Sequence, residues 1–198
     1  MLYCCSNKQE NVMATVAADL LLTVADYLSM PEGGPRYELI EGDLIMAPAP
    51  NSEHQTISTE LVFFLRTYVR QHGGRVFHAP FDVYLDDHNV LQPDVIWISS
   101  DRVSRISMRG LEGAPDLVVE ILSESTKIRD KNVKLKLYRR FGVREYWLVD
   151  PTTHTIEIHC FQHDNRVRTL AGDEAIVSPV LPGFEMSVTE LIRVPSAE

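Results

Sequence analysis

Asp94 and Glu120 are the two residues of this chain whose types and settings best suit chemistry. Asp94 follows Pro93 and opens an apolar stretch. Glu120 lies near the end of the run Asp116-Leu117-Val118-Val119-Glu120-Ile121-Leu122. Two carboxylates brought together at strand ends repel unless a proton or a cation separates them. Mg²⁺, with Mn²⁺ as a substitute, suits such a pair because it prefers oxygen ligands and keeps waters for chemistry. A bound cation can activate a water and neutralise charge building on a phosphoryl oxygen. The backbone carbonyl of Ile121 is a candidate further ligand. The alternative makes Asp94 a turn cap and Glu120 a strand-end surface charge.

Eight of the nineteen basic residues fall between Lys127 and Arg144. At 100° per residue, Lys134 lies between Leu137, Tyr138 and Phe141, on the same side as Lys127, Asp130 and Lys131. Lys136 falls about 160° away, near Arg129 and Arg140. A lysine on an apolar face ordinarily snorkels to solvent. Directed instead toward the strand end bearing Glu120, Lys134 could orient a water or stabilise transition-state charge. Its structural alternative is an i, i+4 pair with Asp130. Lys127, Lys131 and Arg129 form a candidate phosphate-contacting face, the alternative being a solvated one. Glu38 and Glu41 are further acidic candidates, or ordinary turn and edge charges. His54, in the first turn of a helix, could cap it, bind phosphate or contact metal. The remaining histidines, including His154, His159 and His163, read as surface residues. The motifs of P-loop NTPases, zinc proteases and serine hydrolases are absent from the sequence.

Positioning these residues requires strands that end together and a helix beside them. Thr23 caps a predicted helix over 24–30, and residues 37–40 and 44–46 pair as a hairpin around Glu41-Gly42-Asp43. Asn51 or Ser52 caps a longer helix reaching about His72, with Ile57, Leu61, Phe64, Leu65 and Tyr68 at helical spacing. Strands are expected over 75–78, 81–85 and 95–98, and residues 99–113 read as loop. The continuous apolar run 117–122 is that of a strand buried on both faces. Strand, helix over 127–141 and strand over 144–149 make a crossover with parallel strands. Residues 155–161 and 166–170 alternate as antiparallel strands, and 187–192 reads as a closing helix. The fold class is α/β, a mixed sheet flanked by helices with additional antiparallel hairpins.

The net charge of −9 argues against a sequence-independent DNA coat, whose affinity rests on phosphate contacts, but not against a carboxylate site that holds a cation. Cys4, Cys5 and Cys160 form no metal or disulfide pattern, so a reducing cytoplasm is the expected compartment. No apolar run approaches the roughly 20 residues needed to cross a bilayer, and no secretory signal is read. Residues 1–21 are expected to be a disordered extension, 22–192 the domain and 193–198 a tail.

Taken together, Tyr37-Glu38-Leu39-Ile40-Glu41-Gly42-Asp43-Leu44, Ser52-Glu53-His54, Pro93-Asp94-Val95, Pro115 through Ser123 and Gly142 through Pro151 resemble the Uma-two family of restriction-endonuclease-like proteins. Asp130, Lys134 and Tyr138 recur at that family's four-residue spacing. The resemblance spans roughly residues 22–192. It implies a restriction-endonuclease-like fold of the PD-(D/E)XK class and a metal-dependent phosphodiesterase site on Asp94, Glu120 and Lys134. One departure stands out. Leu122 occupies the place of the usual motif lysine, so the resemblance implies that the lysine has migrated to the following helix. The expected activity is hydrolysis of DNA phosphodiester bonds leaving a 5′ phosphate. Glu38, Glu41, His54, Lys127, Asp130, Lys131 and Tyr138 are expected to support the site or contact DNA. A homodimer would match two sites to two strands. The alternatives are a catalytically silent nucleic-acid- or protein-binding module on the same fold and, more weakly, hydrolysis of a smaller phosphodiester.

Overall fold

The structure is a computed structural model and describes residues 21–31, 33–162 and 166–192. The expected extension and tail, apart from Leu21, and Cys4, Cys5 and His163 lie outside the described residues. Helix α1 (Val24–Leu28) begins at a capping box in which Thr23 and Asp26 satisfy each other's backbone amides. Strands β1 (Tyr37–Ile40) and β2 (Asp43–Met46) form the expected hairpin. Its two turn residues, Glu41 and Gly42, both have positive φ (51° and 85°), the backbone that matches strand twist in a two-residue loop. Helix α2 (Ser52–His72) is capped by Asn51, whose side chain accepts from the His54 amide.

The remaining strands are β3 (Arg75–His78), β4 (Asp82–Asp86), β5 (Asn89–Leu91), β6 (Val95–Ile98), β7 (Gly110–Glu112), β8 (Leu117–Ile121), β9 (Glu145–Asp150), β10 (Thr155–Cys160) and β11 (Arg166–Ala171). They build two sheets rather than one sheet with loose hairpins: β2-β1-β5-β4-β7 and β11-β10-β9-β8-β6-β3. Strand β5 falls in a stretch given no element from sequence, and β7 lies within the stretch read as loop. The crossover is as expected, with β8 and β9 parallel and adjacent.

Strand β8 shows how the layers form. Leu117, Val119 and Ile121 face one core with Ile57, Leu61 and Leu65 of α2, and with Leu191 of the closing helix α5 (Val188–Leu191). Val118 faces the opposite core, packed with Ile40, Val83 and Leu111 of the smaller sheet and with Leu137 and Tyr138 of the crossover helix. By strand alternation Glu120 shares the side of Val118, toward the second core. Burying a carboxylate there costs several kcal/mol. The four buried apolar side chains of β8, at about 1.5–3 kcal/mol each, can hold the strand in place against that cost.

The crossover helix is not uniform. Residues Lys127–Arg129 (α3) and Leu135–Phe141 (α4) are α-helical, but Asp130–Lys134 between them forms a wider π-turn. Such turns occur mostly as single bulges inside helices, often at functional sites. The buried Tyr146 hydroxyl donates to the Asp130 carbonyl at 3.2 Å, giving that part of the turn a side-chain partner.

Candidate active site

The register of the larger sheet brings the two carboxylates together. Val95 pairs with Val119 and Ile96 with Val118, so the antiparallel ladder sets Asp94 opposite Glu120 at its end. Directly opposed residues have Cβ atoms about 4.5–5.5 Å apart. Both side chains line a cleft of about 700 Å³, together with Glu38 of β1, His54 of α2, Gln92, and Arg129, Asp130 and Lys134 of the crossover.

Asp94 is held from two directions. Its Oδ2 accepts from the Ile121 amide at 2.7 Å and from His54 Nε2 at 3.1 Å. His54 therefore directs its proton at the carboxylate, while its buried Nδ1 has no hydrogen-bond partner. Glu120, 3% exposed, is bound through Oε1 by Lys134 Nζ and by the Tyr138 hydroxyl, both at 2.9 Å. Lys134 also lies 2.8 Å from Glu38 Oε1 and 3.6 Å from Asp130 Oδ1. Glu38 Oε1 accepts in addition from the Gln92 amide at 2.9 Å.

One buried ammonium thus faces three buried carboxylates, with Asp94 nearby. Burial alone would push Lys134 down, but Glu120, Glu38 and Asp130 outweigh it and hold the ammonium well above its ordinary range. The cost of the excess negative charge falls on the acids. Burial, reinforced by repulsion from Asp130, Asp94 and Glu38, pushes Glu120 well up despite Lys134. Asp130 is raised for the same reasons, burial first. Burial also raises Tyr138 well above the phenolic range, so its hydroxyl remains a neutral donor to Glu120.

Among the described residues, no group of three or more His, Cys, Asp and Glu side chains could hold a metal ion. A Mg²⁺ site does not require one, since the ion commonly binds through one or two carboxylates and keeps its waters. The donor chemistry here fits such an ion: oxygen ligands, a surplus of negative charge, and a cleft open to solvent. Asp94 and Glu120 are the pair that could hold it, with Ile121 on the same cleft wall.

Asp94, Glu120, Ile121, Lys134, Glu38, His54, Asp130 and Tyr138 are brought together as the sequence suggested. The i, i+4 alternative for Lys134 is realised as well, since Asp130 is one of its three acidic neighbours. The other candidates stand apart from that group or change place, and the surface reading of His159 is overturned. Glu41 stands on the hairpin turn, 60% exposed, paired with Arg140 rather than with the site. Lys127 pairs with Asp150 at 2.7 Å and Lys131 with Glu157 at 3.0 Å, and neither lines the cleft. Arg129, offered as a phosphate contact with a solvated face as the alternative, lines the cleft, although uniform 100° steps set it opposite Lys134. An i→i+5 turn takes an extra residue, so residues before it fall out of phase with those after it. His159 is 7% exposed and bonded to Glu157, not a surface residue. Sequence reasoning missed Gln92. Its amide Nε2 is anchored on Asp82 at 2.7 Å and its buried Oε1 is unpartnered. Its position two residues before Asp94 in extended chain was the available signal.

The fold recurs in a solved structure, and the sequence matches a known family. Residues 24–189 match the Uma-two family, described as "Putative restriction endonuclease". A crystal structure described as that of a "putative nuclease" from Anabaena variabilis ATCC 29413 aligns with a TM-score of 0.72 and 26% identity, covering 87% of this chain and 98% of that one. An uncharacterized protein of Synechocystis sp. (strain ATCC 27184 / PCC 6803 / Kazusa) is 26% identical over 148 residues, 73% of this chain and 84% of the relative. The chain belongs to the Uma-two family, and family and fold both point to a restriction-endonuclease-like nuclease. No helix among the described residues is long and apolar enough to cross a membrane.

Proposed function

We propose that the protein is a Mg²⁺- or Mn²⁺-dependent endodeoxyribonuclease in which Asp94 and Glu120 hold the cation, with the Ile121 carbonyl as a further ligand. The observation that carries this reading is the contact of Lys134 with Glu120 across 14 residues of chain, which puts an ammonium beside the carboxylate pair although Leu122 occupies the usual place. The cation, when bound, supplies an activated water and neutralises charge on the phosphoryl oxygens.

The chain's own residues have separable tasks. His54 and the Ile121 amide fix the orientation of Asp94. Tyr138 and Lys134 fix Glu120 Oε1. Because Lys134 is held in its charged form, it acts as a donor that positions a water or a phosphate oxygen, not as a base that takes a proton. Glu38 and Asp130 keep the ammonium in place. DNA is the proposed substrate, the cytoplasm the proposed compartment, and a homodimer would present two sites to two strands.

The test is cleavage of supercoiled plasmid and single-stranded DNA with Mg²⁺, with Mn²⁺ and with EDTA, running Asp94→Ala and Lys134→Ala alongside. Metal-dependent nicking lost in both variants is the expected result, and cleavage that survives in Asp94→Ala would sink the assignment. One observation favours the reading of a silent binding module. The Lys134 ammonium is already surrounded by carboxylates. Cation binding without cleavage of any DNA would favour that alternative.

A further inference from the structure

Among the described residues, one cation of the cleft has no hydrogen bond that accounts for it. Lys134 donates to Glu120 and lies within ion-pair distance of Glu38 and Asp130. Arg36, half-buried at the rim, bonds the Pro48 carbonyl, and His78 bonds the Ala79 carbonyl. Arg129 differs. Its side chain is only 19% exposed, yet its one close charge contact is Glu38 Oε2 at 3.9 Å, beyond hydrogen-bond range. Its Nε is buried without a partner. A guanidinium carries five donors in a rigid fork, and leaving a buried donor unmade costs about 1–3 kcal/mol. A simple counter-ion for Glu38 would be expected to close that gap with a direct bond.

We infer that Arg129 is an anion-binding residue of the cleft, and that its ligand is a phosphate group of a nucleic-acid strand passing the Asp94–Glu120 pair. The chemistry matches: the fork of Arg takes two oxygens of one phosphate, which an ammonium cannot do. The position matches as well. Arg129 immediately precedes the π-turn that carries Asp130 and Lys134, so the turn that sets the acidic cluster also sets the guanidinium in the same cleft. The two cations then differ in task, Lys134 acting beside the Glu120 carboxylate and Arg129 holding the strand. The inference deepens the nuclease reading and rests on it for the identity of the strand, but binding can be read without turnover.

The experiment is fluorescence anisotropy of a labelled single-stranded oligonucleotide in Ca²⁺, over a series of salt concentrations, with wild type, Arg129→Gln, Arg129→Lys and, as a remote control, Arg140→Gln. Thermal unfolding is followed in parallel. The expected result is a weakening of about tenfold in Arg129→Gln, with the slope of log affinity against log salt reduced by about one. Arg129→Lys should recover the slope but only part of the affinity, and Arg140→Gln should match wild type. Unchanged affinity and slope in Arg129→Gln, with loss only of thermal stability, would overturn the inference and leave Arg129 a structural counter-ion. Wild type that binds no oligonucleotide would overturn it too. Binding that depends on Arg129 without cleavage in Mg²⁺ or Mn²⁺ would support the inference while removing the nuclease reading.

Discussion

Two buried ionic clusters in this protein solve opposite problems. Around Asp116, fully buried, one carboxylate has more partners than it needs. Oδ2 accepts from the Ser99 amide and hydroxyl at 2.8 and 2.7 Å, and Oδ1 lies 2.9 Å from Arg144 and 3.4 Å from Arg102. Around Lys134 the balance is reversed, with one ammonium among Glu38, Glu120 and Asp130. The first arrangement ties the end of β6 to the start of β8, and its two arginines reach solvent, at 18% and 28% exposure. The second leaves its acids strained toward protonation and opens on a cleft. Buried surplus negative charge beside a cleft marks a candidate site, whereas a buried carboxylate answered by arginines that reach solvent marks a structural tie.

Substitutions should separate the two. The largest stability effect is expected at Asp116→Ala, which strands two arginines and the Ser99 donors. Chemical denaturation should show a loss of about 3 kcal/mol, moderated by the partial exposure of both arginines. Lys134→Met should cost nearly as much, about 2–3 kcal/mol near neutral pH, but with a signature the first variant lacks. Glu120 and Asp130 already have raised folded pKa values, and removing the ammonium raises them further. A raised carboxyl contributes stability that is present below its unfolded pKa and lost as pH rises through the folded value. The deficit of Lys134→Met should therefore be widest at alkaline pH and narrow in acid. Parallel curves for the two variants would break the comparison.

A smaller loss is expected at Lys127→Met. Burial would push Asp150 up, but the hydrogen bond and charge of Lys127 outweigh it and hold the carboxyl below its usual range. That contribution is present above the unfolded pKa and lost as pH falls through the folded one. Lys127→Met should be slightly less stable than wild type above about pH 4, with the two curves converging in acid. The smallest effect belongs to Arg140→Gln, whose exposed pairs with Glu41 and Asp86 lie at 3.4 Å. Its stability should stay within about 0.5 kcal/mol of wild type.

Much of the site was legible before the structure, for identifiable reasons. Asp94 and Glu120 stand at the ends of apolar runs whose patterning defines strands, and strand ends in one sheet meet through register. Lys134 betrayed itself by sitting among Leu137, Tyr138 and Phe141. What stayed hidden depends on long-range pairing or on departures from ideal periodicity. Strands β5 and β7 are three residues each, too short for alternation to show, so the division into two sheets could not be read. The π-turn upset the helical count for Arg129. Glu38 and Glu41, three residues apart, looked equivalent, but one lies inside β1 and the other on a turn beyond it. The burial of His159 depends on its packing beside Tyr146 and Phe161, which strand alternation alone does not supply.

The claim that the Asp94–Glu120 pair holds a divalent cation is tested most directly by titrating Mn²⁺ into the purified protein and following the free ion by electron paramagnetic resonance. Wild type, Asp94→Ala and Glu120→Gln would be compared, each checked for folding by circular dichroism. The account predicts that wild type binds Mn²⁺, that Mg²⁺ competes for the same site, and that either substitution weakens binding at least tenfold while the fold persists, a loss of about 1.4 kcal/mol or more. Equal Mn²⁺ affinity in all three folded proteins would contradict it.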